Sequence, residues 1–102
     1  MRLFRVCLQA KAERQLDAIL RWWIRHRPEH PDRVGEEVAQ AIATLEVSPE
    51  AGPVVDTRRK AIRRIVLPRS KYCLFYRVVH DEGLVVIEAV WKASRAKGPP
   101  LR

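Results

Sequence analysis

The 102-residue sequence has no run of apolar residues near the roughly 18 that would cross a bilayer. Its opening apolar stretch is broken by Arg2 and Arg5, which excludes a secretory leader, so a soluble, cytoplasmic protein is expected. Cysteine is scarce. Cys7 and Cys73 form no CxxC pair and have no neighbouring histidines, which argues against a zinc site or a redox couple. Both fit small core or sheet-face residues of a reducing compartment. His26, His30 and His80 are dispersed and none has metal-ligand spacing. There is no glycine-rich phosphate loop, and Ser48, Ser70 and Ser94 lack a nucleophile motif. No cofactor or metal is expected. Internal repeats and a domain linker are also missing, so residues 1–102 read as one domain with a thin core.

Negative charge is in short supply as well. Twelve Asp and Glu face twenty Lys and Arg, a formal net charge of +8. Arginine dominates, and its planar fork grips phosphates and carboxylates. A field of this sign favours nucleic acid or an acidic protein segment as partner.

Phe4, Val6 and Leu8 alternate as a short strand, with Arg5 and Cys7 on its other face. From Ala10 the period becomes helical, and Ala12, Leu16, Ile19, Leu20 and Trp23 form one apolar stripe. Trp22, Ile24 and His26 are expected to widen that stripe. Pro28 and Pro31 separate this helix from a second, with Pro31 suited to its first position. The second stripe is Val34, Val38, Ala41, Ile42 and Leu45, ending at Ser48-Pro49. Pro49 to Asp56 reads as a loop. A basic stretch (Arg58, Arg59, Lys60, Arg63, Arg64) runs into a strand over Ile62 to Leu67. Tyr72 to Val79 is the strongest strand signal, His80-Asp81-Glu82-Gly83 a turn with glycine placed for positive φ, and Leu84 to Trp91 the returning strand. The order β-α-α-β-β-β predicts an α+β domain with a helical hairpin on one face of a mostly antiparallel sheet.

Acidic catalysis finds little support. The helical carboxylates look like solvated faces, and Glu88, the only acid inside a strand, fits an ion pair with an arginine of a neighbouring strand. Arg63 and Arg64 point to opposite faces, and Arg77 belongs on the face without helices because burying it unpaired is costly. Arg58, Arg59, Lys60, Arg64, Arg77, Lys92 and Arg95 are the candidate anion- or target-binding residues. Tyr72, Phe75, Tyr76 and Trp91 interleave with these cations, as a surface for stacking bases would require and as a thin core equally would. Tyr72 and Tyr76 share one strand face, Phe75 and Arg77 the other.

Several segments together resemble the RelE/ParE superfamily of toxins from bacterial toxin–antitoxin modules. Ala12-Glu13-Arg14-Gln15-Leu16-Asp17-Ala18-Ile19 is similar to the helix start "A-x-x-D-L-x-x-I". Leu45 to Gly52 is similar to "L-x-x-x-P-x-x-G", and Tyr72 to Arg77 to "Y-x-I-x-Y-R". Ile87 to Arg95 is similar to the closing strand and tail. The resemblance implies a toxin held inactive by an antitoxin in a hetero-oligomer. RelE-like members cut messenger RNA on the ribosome with basic residues and a Tyr or His near the C-terminus. ParE-like members lack that set and poison DNA gyrase. No His or Tyr follows His80 here, which favours the ParE side and leaves no favoured catalytic residue. For a ribosome-dependent nuclease the set would be Arg64, Arg77, Lys92 and Arg95. A third reading is a non-toxic domain binding nucleic acid or protein. An antitoxin's C-terminal segment would use apolar anchors, with Trp22 and Trp23 as candidates for its groove.

Overall fold

Two strands, β4 (Tyr72–Val79) and β5 (Leu84–Lys92), carry near-continuous apolar runs, and most of their side chains are buried. The computed structural model describes residues 2–92. Around this pair stand β1 (Arg5–Leu8), α1 (Ala10–His26), α2 (Arg33–Val47), β2 (Val54–Asp56) and β3 (Ile62–Val66). The strands form one mixed sheet in the order β1-β5-β4-β3-β2, with β1 parallel to β5 and the remaining pairs antiparallel. The expected α+β architecture, with helices on a largely antiparallel sheet, is what the chain adopts. The turn after β4 is a single 3₁₀ turn closed by Gly83 at φ 61°, as the sequence suggested.

The main core lies between the helices and one sheet face. Ala12 and Trp23 of α1 and Val34, Val38, Ala41 and Leu45 of α2 pack on Leu67, Tyr72, Leu74, Tyr76, Val85, Ile87 and Val90. The Trp23 indole N–H also donates to the His30 carbonyl at 2.7 Å, tying the end of α1 to the interhelical loop. A smaller cluster of Ile62, Cys73, Phe75 and Ala89, with Trp91 against it, occupies the opposite face.

Three local expectations are corrected. Val54–Asp56 is an edge strand rather than loop, because pairing with β3 satisfies backbone groups that the sequence alone left unassigned. Helix α2 starts at Arg33, with Pro31 two residues outside it and Asp32 at the cap position. Trp22, Ile24 and His26 do not widen the buried stripe. Trp22 and Ile24 are 40% and 59% exposed and His26 is exposed, because only the Trp23 side of the last turns faces the sheet. Of the strand aromatics, for which core and stacking surface stood open, Tyr72, Phe75 and Tyr76 are buried and Trp91 is half-buried.

Two tethers fix the β3 end of the sheet. Glu37 of α2 accepts the backbone N–H groups of Arg69 (2.7 Å) and Ser70 (3.0 Å), pinning the β3–β4 turn, in which Lys71 takes φ 67°. Burial raises the Glu37 pKa, but the Ser70 hydroxyl, the two N–H donors and the Arg33 charge outweigh it and hold the carboxyl below its usual range. The segment before β2 crosses β3 so closely that a Cβ on Gly52 would lie 2.2 Å from the Arg64 carbonyl oxygen. There the Tyr76 hydroxyl accepts the Gly52 N–H at 2.9 Å, and burial pushes the Tyr76 phenol up.

Candidate functional sites

On the face away from the helices, β5 carries an extra residue. Phe75 pairs with Ala89 but Tyr76 pairs with Ile87, so Glu88 stands in a bulge. Its carboxylate, 7% exposed, accepts from Arg77 Nε at 2.7 Å and from Lys60 Nζ at 3.2 and 3.3 Å. The expected pairing of Glu88 with an arginine of the next strand is present, and Arg77 lies on the face predicted for it. Lys60 is the partner that sequence reasoning missed, since it reaches Glu88 from the loop before β3. A buried carboxylate sharing two cations is a structural knot: removing it would leave two cations without their counter-charge.

Of the other candidate cations, Arg64 shares the sheet face of Arg77. Arg58 pairs with Asp56 at 3.3 Å, and Arg59 is exposed in the same loop. Arg64 is exposed on β3, opposite Phe75. Arg63 takes the opposite face and donates to the Gly52 carbonyl at 2.7 Å. Lys92, paired with Tyr72, sets its ammonium 5.2 Å from that ring's centroid, on the helix side of the sheet. Lys92 is thus separated by the sheet itself from Arg64 and Arg77. Arg95 lies outside the described residues. His80 stacks edge-on against Phe4 and lies 3.6 Å from Glu50, with no candidate cation of this set beside it. Among the described residues no three His, Cys, Asp or Glu side chains are grouped to hold a metal ion, and no helix is long and apolar enough to cross a membrane.

The helix side offers a groove of about 440 Å³ between α1 and the end of β5, walled by Ile19, Trp22, Tyr72, Val90, Trp91 and Lys92. It opens because β1 ends at Leu8, opposite Ile87, so the outer edge of β5 beyond that point has no neighbouring strand among the described residues. Gln15 substitutes for one there, its side-chain oxygen accepting the Val90 N–H at 2.8 Å. Trp22 is held as one wall by stacking on His26 at 4.5 Å and by the Arg27 guanidinium 5.7 Å from its ring. Of the two tryptophans singled out from sequence, Trp22 therefore lines a groove and Trp23 belongs to the core. Gln15 carried no sequence signal beyond its polarity on a mostly apolar stripe.

Comparison with known proteins fits this geometry. Solved structures with the same fold include the chromosomal ParDE toxin–antitoxin system of Pseudomonas aeruginosa (TM-score 0.72, 17% identity, covering 90% of this chain and 98% of that one). The RelBE2 toxin–antitoxin complex of Mycobacterium tuberculosis is similar at TM-score 0.62 and 23% identity, covering 92% and 97% of the two chains. The intact Escherichia coli RelBE complex follows at 0.60 and 21%, covering 90% and 99%. No curated protein matches the sequence significantly. The sequence model described as the ParE toxin of the type II toxin–antitoxin system parDE matches residues 6–97. On that match over nearly its whole length, the chain belongs to the ParE toxin family of type II toxin–antitoxin systems.

Proposed function

We propose that the chain is a toxin that acts by binding DNA gyrase rather than by cutting RNA. The observation that carries this reading is the separation of the cations. A phosphoryl-transfer site would need its cations and a proton acceptor converging on one phosphate. Here Lys92 lies across the sheet from Arg64 and Arg77, and no histidine or tyrosine side chain stands beside those two arginines among the described residues. The experiment is a supercoiling assay with purified gyrase, run beside cleavage mapping on translating ribosomes. Inhibited supercoiling with intact message is the expected result; message cleavage without effect on gyrase would reverse the assignment.

The same reading includes neutralisation by a cognate antitoxin in a hetero-oligomer. The groove between α1 and β5 suits an antitoxin segment that presents an apolar anchor to Trp22 and Ile19 and an acidic side chain to Lys92. The solved relatives being toxin–antitoxin complexes supports such a partner. The chain's +8 charge would speed association with an acidic segment. Co-purification with the product of the adjacent open reading frame is the direct check.

A further inference from the structure

Arg77 spends only part of its hydrogen-bonding capacity on Glu88. It reaches the carboxylate through Nε alone, and among the described residues both terminal nitrogens have no protein partner. The side chain is 29% exposed while Glu88 beneath it is 7% exposed, and neither unpartnered terminal nitrogen is buried. The buried carboxylate grips one edge of the guanidinium and leaves the fork facing outward.

A second arginine stands beside it. Arg64 is opposite Phe75, and Arg77 lies two residues beyond Phe75 on the same face of β4. The two are diagonal cross-strand neighbours, a relation that sets residues roughly 7–8 Å apart and their Cβ atoms somewhat closer, a span that one tetrahedral anion can bridge. Arg64 is exposed, and its side chain makes no hydrogen bond or ion pair among the described residues. Lys60, 42% exposed, closes the side nearest Glu88. Three cations against one carboxylate leave a local surplus of two positive charges.

We propose that this face holds a phosphate-type oxyanion, bound by the terminal nitrogens of Arg77 and by Arg64, with Lys60 at the rim and Glu88 as the positioning residue. Two guanidinium planes approaching from neighbouring strands suit a tetrahedral group with several acceptor oxygens. Recognition runs chiefly through the phosphate, because Tyr72, Phe75 and Tyr76 are buried and offer no exposed ring to a base. The site does not depend on which cellular target the toxin attacks. Its phosphate could be a small free ester or a link in a nucleic-acid backbone.

The test is a titration of the full-length chain followed by NMR of the arginine side-chain Nε–H groups, at constant ionic strength. One arm uses inorganic phosphate and the other a short single-stranded oligonucleotide. Saturable shifts at Arg77 and Arg64 are expected in the phosphate arm. Arg77→Lys keeps the charge and loses the fork, and should weaken binding about tenfold. Arg64→Gln removes a side chain with no protein partner, so the fold survives, and should weaken it about fivefold or more. Tighter binding of the oligonucleotide assigns the site to a phosphodiester chain; equal or weaker binding assigns it to a small phosphate ester. Absence of saturable shifts in the unmodified chain, or unchanged affinity in Arg64→Gln, overturns the proposal.

Discussion

Gly52 and Gly35 respond in opposite ways to an added methyl group. A Cβ on Gly52 meets the Arg64 carbonyl at 2.2 Å, and backbone oxygen cannot swing aside. Gly52→Ala should cost about 2–3 kcal/mol through forced displacement of the loop from β3. At Gly35, near the start of α2, a Cβ has nothing within 4 Å. Gly35→Ala should therefore stabilise the fold by about 0.5 kcal/mol through helix propensity. Urea unfolding midpoints of the two variants check both signs. The cysteines separate in the same manner. Cys73 is buried, and burial pushes its thiol up against the opposing charge of Arg64. Cys7 is exposed on β1. A neutral thiol reagent should consume one equivalent at once and the second only after denaturation; two fast equivalents would contradict this packing.

At the scale of elements, the sheet depends on side chains that replace missing backbone partners. Gln15 takes the N–H that β1 is too short to reach. Gln15→Leu should cost about 1–2 kcal/mol, because a backbone donor then loses its acceptor. Glu37 does the same for the β3–β4 turn. Folding lowers its pKa, so its contribution is present above the ordinary carboxylate value and is lost as pH falls through the lower folded value. Glu37→Gln should be about 1 kcal/mol less stable near neutrality, a figure kept small because the carboxyl is partly solvated. That deficit should shrink towards zero in acid. Denaturation midpoints of both proteins across the acid range would show convergence; a constant gap would mean that the charge is irrelevant.

For the whole molecule, adjacent tryptophans divide between fold and partner. Trp23→Ala should cost about 3–5 kcal/mol, from the core volume lost and the His30 carbonyl left without its indole donor. Trp22→Ala should change stability by less than about 1 kcal/mol, since the ring is largely on the surface. If the α1–β5 groove seats the antitoxin, the second variant should instead lose at least about tenfold in antitoxin affinity. Calorimetry of both variants with the purified antitoxin would decide, and an unchanged affinity for Trp22→Ala would remove the groove from the interface. Raising salt should also weaken that association, as expected for a basic chain meeting an acidic segment.

What the sequence determined by itself is what short-range geometry governs. Period 2 and period 3.6 are local, so β4, β5, both helical stripes and the turn ending at Gly83 were legible residue by residue. The split of Tyr72 and Tyr76 from Phe75 and Arg77 followed from alternation alone. The face of Arg77 followed from the cost of burying an unpaired strand cation, and the pairing of Glu88 with an arginine of a neighbouring strand from its place inside a strand. The tertiary structure decided whatever joins segments distant in the chain. It set the short β1 beside β5, which among the described residues leaves the end of that β5 edge without a strand and creates the groove at Trp22. It brought Lys60 to Glu88, put Lys92 across the sheet from Arg64, and turned Trp22 outward and Trp23 inward. Those outcomes depend on which faces meet when the whole chain packs, and no periodicity within one segment carries that information.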